Sequence, residues 1–339
     1  MSNSLPAFSA ALADAAPVFP DRDATRDKTD AISGEARRKG ARLAAFPESF
    51  LPGFPLWALV HAPIDTHGFF RRLDDHCLET HGPDIDRVAA MARRHGVYLS
   101  VGVTERSPAS VGTLHNTNLL FDPDGAVVNK RRTLMPTWAE KLVWARGDAA
   151  GLRPARTELG QIGILICGEN TNPLARYALI AQGEQVHIST YPPIWPFRRE
   201  APPDYARWVM TRSVAHSFEA KVFNLTVAGH LDEATITAVA AGDHRAEKVL
   251  REAPAAVSLV TGPTGEPVGE PLSGAQGLLI VPINIAESIE PKAAHDVAGH
   301  YQRHDLFSLT LDQRPQQAIH LIQPDSGPAA TAPPVTKSG

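Results

Sequence analysis

The stretch ILICGENTNPLARYALIAQG, residues 164–183, joins an apolar strand pattern directly to a helical pattern. Its corner residue is Cys167, and Asn172-Pro173 marks the start of the predicted helix, because proline is favoured in a first helical turn. Backbone N–H groups and the positive end of a helix favour a thiolate, so we predict a pKa for Cys167 below the free value of about 8.5. Cys167 is therefore a candidate nucleophile. The alternative is an inert, buried cysteine at a strand end.

Short β-prone runs alternate with helical patterns on both sides of this corner, which favours an α/β layered fold. Asp124-Gly125 predicts a hairpin turn between two β-prone arms. Asp21 predicts the N-cap of one helix, and Gly40 predicts its end. The remaining strands are predicted at 7–13, 41–46, 98–104, 161–166, 185–190, 222–228, 256–261 and 277–282, and helices at 21–39, 84–95 and 203–221.

Composition argues for a chain that is ordered over most of its length. The 339 residues are 43% hydrophobic, and 33 basic and 37 acidic residues are interspersed to give a net charge of −4. Such a balance gives little support to a nucleic-acid or membrane-surface partner. No secretory signal or membrane span is evident, so a cytoplasmic protein is expected. Cys77 and Cys167 are too few for a disulfide framework, and neither lies in a metal-type cluster.

A nucleophilic cysteine needs a base and a group that stabilises the oxyanion it generates. Glu48 follows a predicted strand in apolar surroundings, which would raise the pKa of its carboxyl toward the range useful for proton transfer. Glu140 lies among Trp138, Leu142 and Trp144. The alternatives are a solvated loop glutamate for Glu48 and an ion pair with an arginine for Glu140.

Four motifs resemble the nitrilase branch of the carbon–nitrogen hydrolase superfamily and occur in the order expected for it: FPESFLPGFP, RRTLMPTWAEKLVWARGD, CGENTNPLARYALIAQGEQVHIS and GHYQRHD, at residues 46–55, 131–148, 167–189 and 299–305. The resemblance implies one α-β-β-α sandwich domain over residues 1–312. The Pro/Ala-rich stretch 313–339 is predicted to be a disordered tail.

The resemblance also implies roles. Cys167 matches the family's nucleophile, Glu48 its general base and Glu140 its second glutamate. Neither a cofactor nor a metal is implied, and the expected partners are a small nitrile or related carbon–nitrogen substrate and further copies of the chain, as a dimer or a larger spiral assembly.

One position departs from the pattern. The family's catalytic lysine falls on Thr133, which has a hydroxyl group but no charge. Lys130 lies three residues earlier, and an odd offset along a strand points its side chain to the opposite face. Losing an oxyanion donor lowers the rate by on the order of 10²–10³-fold. The resemblance therefore supports the fold of the family more firmly than it supports efficient catalysis.

Three residues are expected to shape the pocket. Gly168 stands where many nitrilases have tryptophan, which predicts more room beside the thiol, and its N–H is the expected oxyanion donor. Trp144 and Tyr191 resemble pocket-wall positions, although ordinary core packing explains them as well.

Three functions stay open. The first is hydrolysis of a nitrile to an acid and ammonia through a thioimidate and a thioester. The second is release of an amide, or other carbon–nitrogen chemistry on the same thiol. The third is a non-catalytic assembly paralogue that keeps the fold.

Overall fold

The computed structural model describes residues 5–196 and 204–316. Within these ranges the chain forms two mixed β-sheets that lie face to face between layers of helices. This is the predicted α-β-β-α sandwich, and the predicted α/β class is confirmed.

The first sheet has the strand order β11-β1-β2-β3-β4-β5. Parallel pairing joins β1 to β2 and β2 to β3, whereas β11, β4 and β5 run antiparallel to their neighbours. Its strands are β1 (Ala7–Asp14), β2 (Ala41–Ala45), β3 (Tyr98–Arg106), β4 (Leu114–Phe121), β5 (Val127–Arg132) and β11 (Gly277–Asn284).

The second sheet has the order β10-β9-β8-β7-β6, with β7, β8 and β9 parallel. Its strands are β6 (Ala155–Thr157), β7 (Gly160–Ile166), β8 (Val186–Tyr191), β9 (Phe223–Ala228) and β10 (Leu259–Thr261).

The α-helices of the described ranges are α1 (Arg22–Arg38), α2 (Trp57–Val60), α3 (His67–His76), α4 (Pro83–His95), α5 (Pro173–Ala181), α6 (Tyr205–Ala220), α7 (Glu233–Ala240), α8 (His244–Glu252) and α9 (Ile289–Ala294). Asp21 caps α1 by accepting a hydrogen bond from the Ala24 N–H, as predicted. Gly96 ends α4 with a left-handed backbone at φ 59°. None of the helices in these two ranges combines the length and apolar character that crossing a bilayer requires.

Successive side chains along each strand point to opposite faces of the sheet, which divides the core into layers. In β1, Ala10 and Leu12 face the second sheet and pack with residues such as Ile164 and Ile188, whereas Ala11 and Ala13 pack under the outer helices. Burying both faces of β1 explains its continuous apolar run. On the other side of the molecule, Leu165 of β7 packs against Ala175 and Leu179 of α5.

The first residues of the predicted tail lie on the body of the domain. The Gln313 side chain donates to the Leu152 carbonyl at 2.8 Å, and the Gln316 N–H donates to Asp148 at 3.0 Å. Residues 317–339 lie outside the described residues, so disorder there stays a prediction.

Candidate active site

Glu48 lies in the turn that follows β2, and close packing against β3 fixes this turn. Gly102 of β3 passes against the backbone of Pro47 and Ser49 so closely that a Cβ atom would collide with both. The Ser49 hydroxyl bonds that of Thr104 at 2.8 Å. Only glycine permits this approach, and the result is a buried Glu48 side chain with 2% exposure.

Glu140 lies on a single 3-10 turn, Trp138–Leu142, between β5 and β6. Its Oε2 accepts a hydrogen bond from the Thr137 N–H at 2.8 Å, and the Thr137 side chain caps the same turn. Such a reciprocal cap satisfies backbone donors and fixes the carboxyl group. Glu140 is buried at 3% exposure.

Cys167 begins a second 3-10 turn, Cys167–Thr171, directly after β7. Its φ of 47° is in the left-handed region, which a non-glycine residue occupies only when its surroundings hold it there. Asn170 supplies part of that hold by donating from Nδ2 to the carbonyls of Cys167 at 3.0 Å and Leu165 at 3.3 Å. The side chain of Cys167 is 6% exposed.

The structure brings these three predicted site residues together. Ligating atoms of Glu48, Glu140 and Cys167 all lie within 4.8 Å of one another. Glu48 Oε1 accepts from Asn116 at 2.6 Å, whereas Glu48 Oε2 and Glu140 Oε1 are buried without a hydrogen-bond partner. A cavity of about 20 Å³, large enough for one water molecule, adjoins Glu48.

The predicted low pKa of Cys167 is wrong. Burial raises the pKa of the thiol well above 9.0, and the negative charges of Glu48 and Glu140 raise it further. A hydrogen bond from the Gly168 N–H and the positive charge of Arg212 act in the lowering direction but do not compensate. The physical reason lies in the tertiary structure: α5 begins only at Pro173, and the 3-10 turn before it places the thiol near two carboxyl groups from distant parts of the chain.

Burial also raises the pKa of both glutamates. For Glu48 the pKa lies well above 4.5, first because the carboxyl is desolvated and next because Glu140 is close, while the Asn116 hydrogen bond opposes the shift. For Glu140 burial raises the pKa to about 7. The predicted raised pKa of Glu48 is confirmed. The predicted alternative of an ion pair for Glu140 is wrong, since no Lys, Arg or His nitrogen of residues 5–196 and 204–316 lies within 4.0 Å of its carboxylate.

Thr133 is connected to this group of acids through Asn116. Its N–H donates to the Asn116 carbonyl at 2.9 Å, and the Asn116 side chain holds Glu48. Lys130 points to the opposite face of β5 and forms an ion pair with Glu105, to which Arg132 also bonds. The prediction that Lys130 faces away from Thr133 is confirmed.

Sequence reasoning missed the buried pair Arg131–Glu169, which braces the site. Arg131 Nη2 lies 2.7 Å from Glu169 Oε1, and the Leu134 N–H donates to the same oxygen. The Ile166 N–H donates to Oε2 at 3.0 Å. The pair ties the chain segment around Thr133 to the turn that carries Cys167. The sequence did contain a signal for Arg131. It lies two residues before Thr133, so both side chains point to the same face of the strand.

The structure corrects one prediction about the three pocket residues. An added Cβ on Gly168 would lie 2.7 Å from the Thr137 hydroxyl, so the expected extra room beside the thiol is filled by Thr137. Trp144 and Tyr191 are buried in the same apolar cluster as Cys167. Trp144 packs edge-on against Phe54 at 5.4 Å between ring centroids.

A second buried acid–histidine cluster lies behind the nucleophile turn. His187 Nδ1 lies 2.6 Å from Glu184 Oε1, and His216 Nε2 lies 2.8 Å from Glu184 Oε2. Burial alone would raise the pKa of Glu184, but the charges and hydrogen bonds of the two histidines lower it to about 2. These bonds occupy both carboxylate oxygens, so the cluster is a structural network rather than an open metal site.

Comparison with known proteins gives one family. The model of the carbon-nitrogen hydrolase family matches residues 9–292. A nitrilase of Paraburkholderia phymatum is 35% identical over 310 residues, which cover 91% of this chain and 88% of that protein. A cyanide hydratase of Botryotinia fuckeliana is 30% identical and covers 94% and 86% of the two chains. The crystal structure of a carbon-nitrogen hydrolase from Helicobacter pylori superposes with a TM-score of 0.69 at 18% identity, covering 89% and 97%.

Proposed function

Because the chain belongs to the carbon–nitrogen hydrolase family, we propose that it hydrolyses a small organic nitrile to a carboxylic acid and ammonia on Cys167. The observation that carries this proposal is the approach of the Cys167 sulfur to the carboxyl groups of Glu48 and Glu140 within 4.8 Å in a buried site. A nucleophile and a proton-transfer group within reach of one another are the requirement for covalent catalysis.

The proposed reaction has three steps. The Cys167 sulfur bonds to the nitrile carbon while its proton passes through Glu48 to the nitrile nitrogen, which leaves a thioimidate. Water adds to the carbon, and the tetrahedral adduct expels ammonia to form a thioester. A second water then displaces the thiol and releases the acid. The Gly168 N–H is the proposed donor to the oxyanion, and Trp144 and Tyr191 are the proposed walls of an apolar pocket.

Because Thr133 has no positive charge, we expect slow turnover. Burial raises the pKa of Cys167 well above 9.0 and also raises the pKa of Glu48, so attack by the Cys167 thiolate begins from a minor ionised population at neutral pH. A lysine ammonium at position 133 would favour the ionised forms of all three acids. The absence of a positive charge at position 133 also affects the product, because ammonia leaves well only when its nitrogen is protonated. Release of the amide is therefore the second candidate, and similarity to a cyanide hydratase supports it.

The decisive experiment is intact-protein mass spectrometry after incubation with aryl and aliphatic nitriles, beside the Cys167→Ala variant. We expect an adduct on the unmodified chain, its absence in Cys167→Ala, and an increase in turnover of about 10²-fold or more in Thr133→Lys. The acid-to-amide ratio separates the two enzymatic candidates. If no adduct forms and Thr133→Lys is also inert, the non-catalytic assembly function takes their place.

We further propose that the protein acts in the cytoplasm as a homo-oligomer.

A further inference from the structure

Two carboxyl oxygens in the active site are buried without a nitrogen or oxygen partner, although the Cys167 thiol lies close enough to the Glu48 carboxyl group to act on its pKa as a hydrogen-bond donor. Glu48 Oε2 and Glu140 Oε1 lie in side chains that are 2% and 3% exposed. Leaving such a group without a hydrogen bond costs about 1–3 kcal/mol, and more when the group is charged. With the Cys167 sulfur they form a cluster whose three ligating atoms lie within 4.8 Å of one another.

The positive charges nearby are already engaged. Arg131 pairs with Glu169, and Lys130 and Arg132 pair with Glu105. Arg212 donates from Nε to Thr171 at 2.8 Å and lies 5.9 Å from the centre of the Tyr191 ring. Within the described part of the chain, no basic nitrogen forms an ion pair with Glu48 or Glu140.

We propose that Glu48, Glu140 and Cys167 form a binding site for a primary ammonium group, which supplies the charge that this chain lacks. An ammonium group has three N–H donors. Two match the unpartnered oxygens of Glu48 and Glu140, and the third is available to the sulfur or to the reacting nitrogen. The group is either free ammonium, which the proposed reaction releases, or an amine carried by the substrate.

An ammonium group fits the cluster better than a divalent metal. A metal ion must displace the protons of its ligands, and burial raises the pKa of all three acids here. Ammonium binds through hydrogen bonds and needs only one ionised carboxylate. The two ions also act in opposite directions on the thiol: nearby ammonium promotes the thiolate, whereas bound Zn²⁺ occupies the sulfur.

The test is the rate of Cys167 alkylation by iodoacetamide at pH 7, followed by peptide mass spectrometry, with ammonium, methylammonium or tetramethylammonium chloride at equal ionic strength. We expect ammonium and methylammonium to accelerate alkylation saturably by about tenfold or more, the effect of lowering the thiol pKa by one unit. Tetramethylammonium has no N–H donor and should have no effect. No saturable acceleration, or an equal effect of tetramethylammonium, would overturn the proposal.

Matched variants localise the effect. Thr133→Lys places an ammonium in the site covalently, so its alkylation should be fast without amine and unresponsive to it. Thr133→Ala keeps the site open and should retain the response, which preserves the test if Thr133→Lys does not fold. A response in Thr133→Lys equal to that of the unmodified chain would contradict the assignment. Suppression of alkylation by micromolar ZnCl2, together with no response to ammonium, would identify a metal site instead.

A comparison of two nitrile substrates distinguishes free ammonium from an amine carried by the substrate. This comparison rests on the nitrile hydrolysis proposed above. If the substrate carries the ammonium group, aminoacetonitrile should turn over about tenfold or more faster than propionitrile, and Thr133→Lys should reverse this preference. If free ammonium fills the site, added ammonium chloride should accelerate both nitriles equally. Alkylation consumes no nitrile, so an ammonium-responsive thiol in a chain inactive toward every nitrile would overturn the proposed function and leave the binding site standing.

Discussion

At the scale of single residues, the site is governed by three neighbouring acids whose pKa values burial raises. Cys167, Glu48 and Glu140 each have a raised pKa, with desolvation as the first cause. The charge of Glu140 also raises the pKa of Glu48, and the charges of both glutamates raise the pKa of Cys167. A substitution at one of them should therefore change the titration of another.

Glu140→Gln tests this coupling. Burial raises the pKa of Glu140 to about 7, so above pH 7 its carboxylate is ionised and opposes ionisation of Cys167. Glutamine keeps an oxygen for the Thr137 N–H but cannot carry charge. We predict that iodoacetamide alkylates Cys167 of Glu140→Gln about threefold to tenfold faster at pH 8–9 than Cys167 of the unmodified chain. The variant should hydrolyse nitrile more slowly.

The measurement is the pH dependence of iodoacetamide alkylation at Cys167, with Glu270→Gln as a control on the surface. The two variants should differ most above pH 7 and converge below about pH 6, where Glu140 is protonated in the unmodified chain. An unchanged alkylation profile in Glu140→Gln would show that the two groups do not interact.

At the scale of elements, two short turns carry the chemistry, and a hydrogen-bond network holds one of them. The two backbone carbonyls that Asn170 Nδ2 contacts fix the orientation of its amide, so Oδ1 faces His187 Nε2 at 3.0 Å and accepts from Ser189 at 2.9 Å. His187 in turn lies 2.6 Å from Glu184 Oε1 through its Nδ1. A buried hydrogen-bond network thus connects Glu184 to the backbone carbonyl of the nucleophile.

Asn170→Ala should show that this network positions Cys167. The change removes the side-chain donor to the carbonyls of Leu165 and Cys167, so we predict a loss of about 1–3 kcal/mol in the free energy of unfolding. The rate of adduct formation with a nitrile should fall about tenfold or more, because small misplacement of a nucleophile is costly.

The neighbouring Asn172→Ala provides the control. Asn172 caps α5 by accepting from Leu174 N–H at 3.0 Å, so its loss should cost about 1 kcal/mol in urea unfolding. Its removal should leave adduct formation unchanged. Equal slowing in both variants would mean that general destabilisation, rather than positioning of Cys167, explains the effect.

The same elements show what sequence can predict. Caps and alternation are local, so α1, α4 and the β4–β5 hairpin follow from residues such as Asp21, Gly96 and Asp124-Gly125. The 3-10 turns at Glu140 and Cys167 are not local, since Trp138 and Cys167 have φ of 46° and 47° that contacts from elsewhere impose. The pKa of Cys167 depends on burial and on two distant acids, which is why its predicted direction was wrong.

At the scale of the whole molecule, the segment after α9 lies on the domain and presents apolar side chains outward. Val297 and Ala298 pack against Ile180 and Val222, and the Gln302 side chain donates to the Tyr177 hydroxyl at 2.8 Å. Tyr301, Leu306 and Phe307 remain 63%, 63% and 68% exposed. Several large apolar side chains on one anchored segment are typical of a protein–protein contact.

We predict that this segment contributes to the proposed homo-oligomer. Leu306→Glu combined with Phe307→Glu should lower the molar mass measured by light scattering after size exclusion, because charges are poorly tolerated at the centre of an interface. Val111→Glu provides the control, since Val111 is 94% exposed on a loop outside the segment. Cys167 alkylation should be unchanged in both variants if they fold normally. A monomeric unmodified chain, or a mass that the double variant leaves unchanged, would assign the exposed segment no role in assembly.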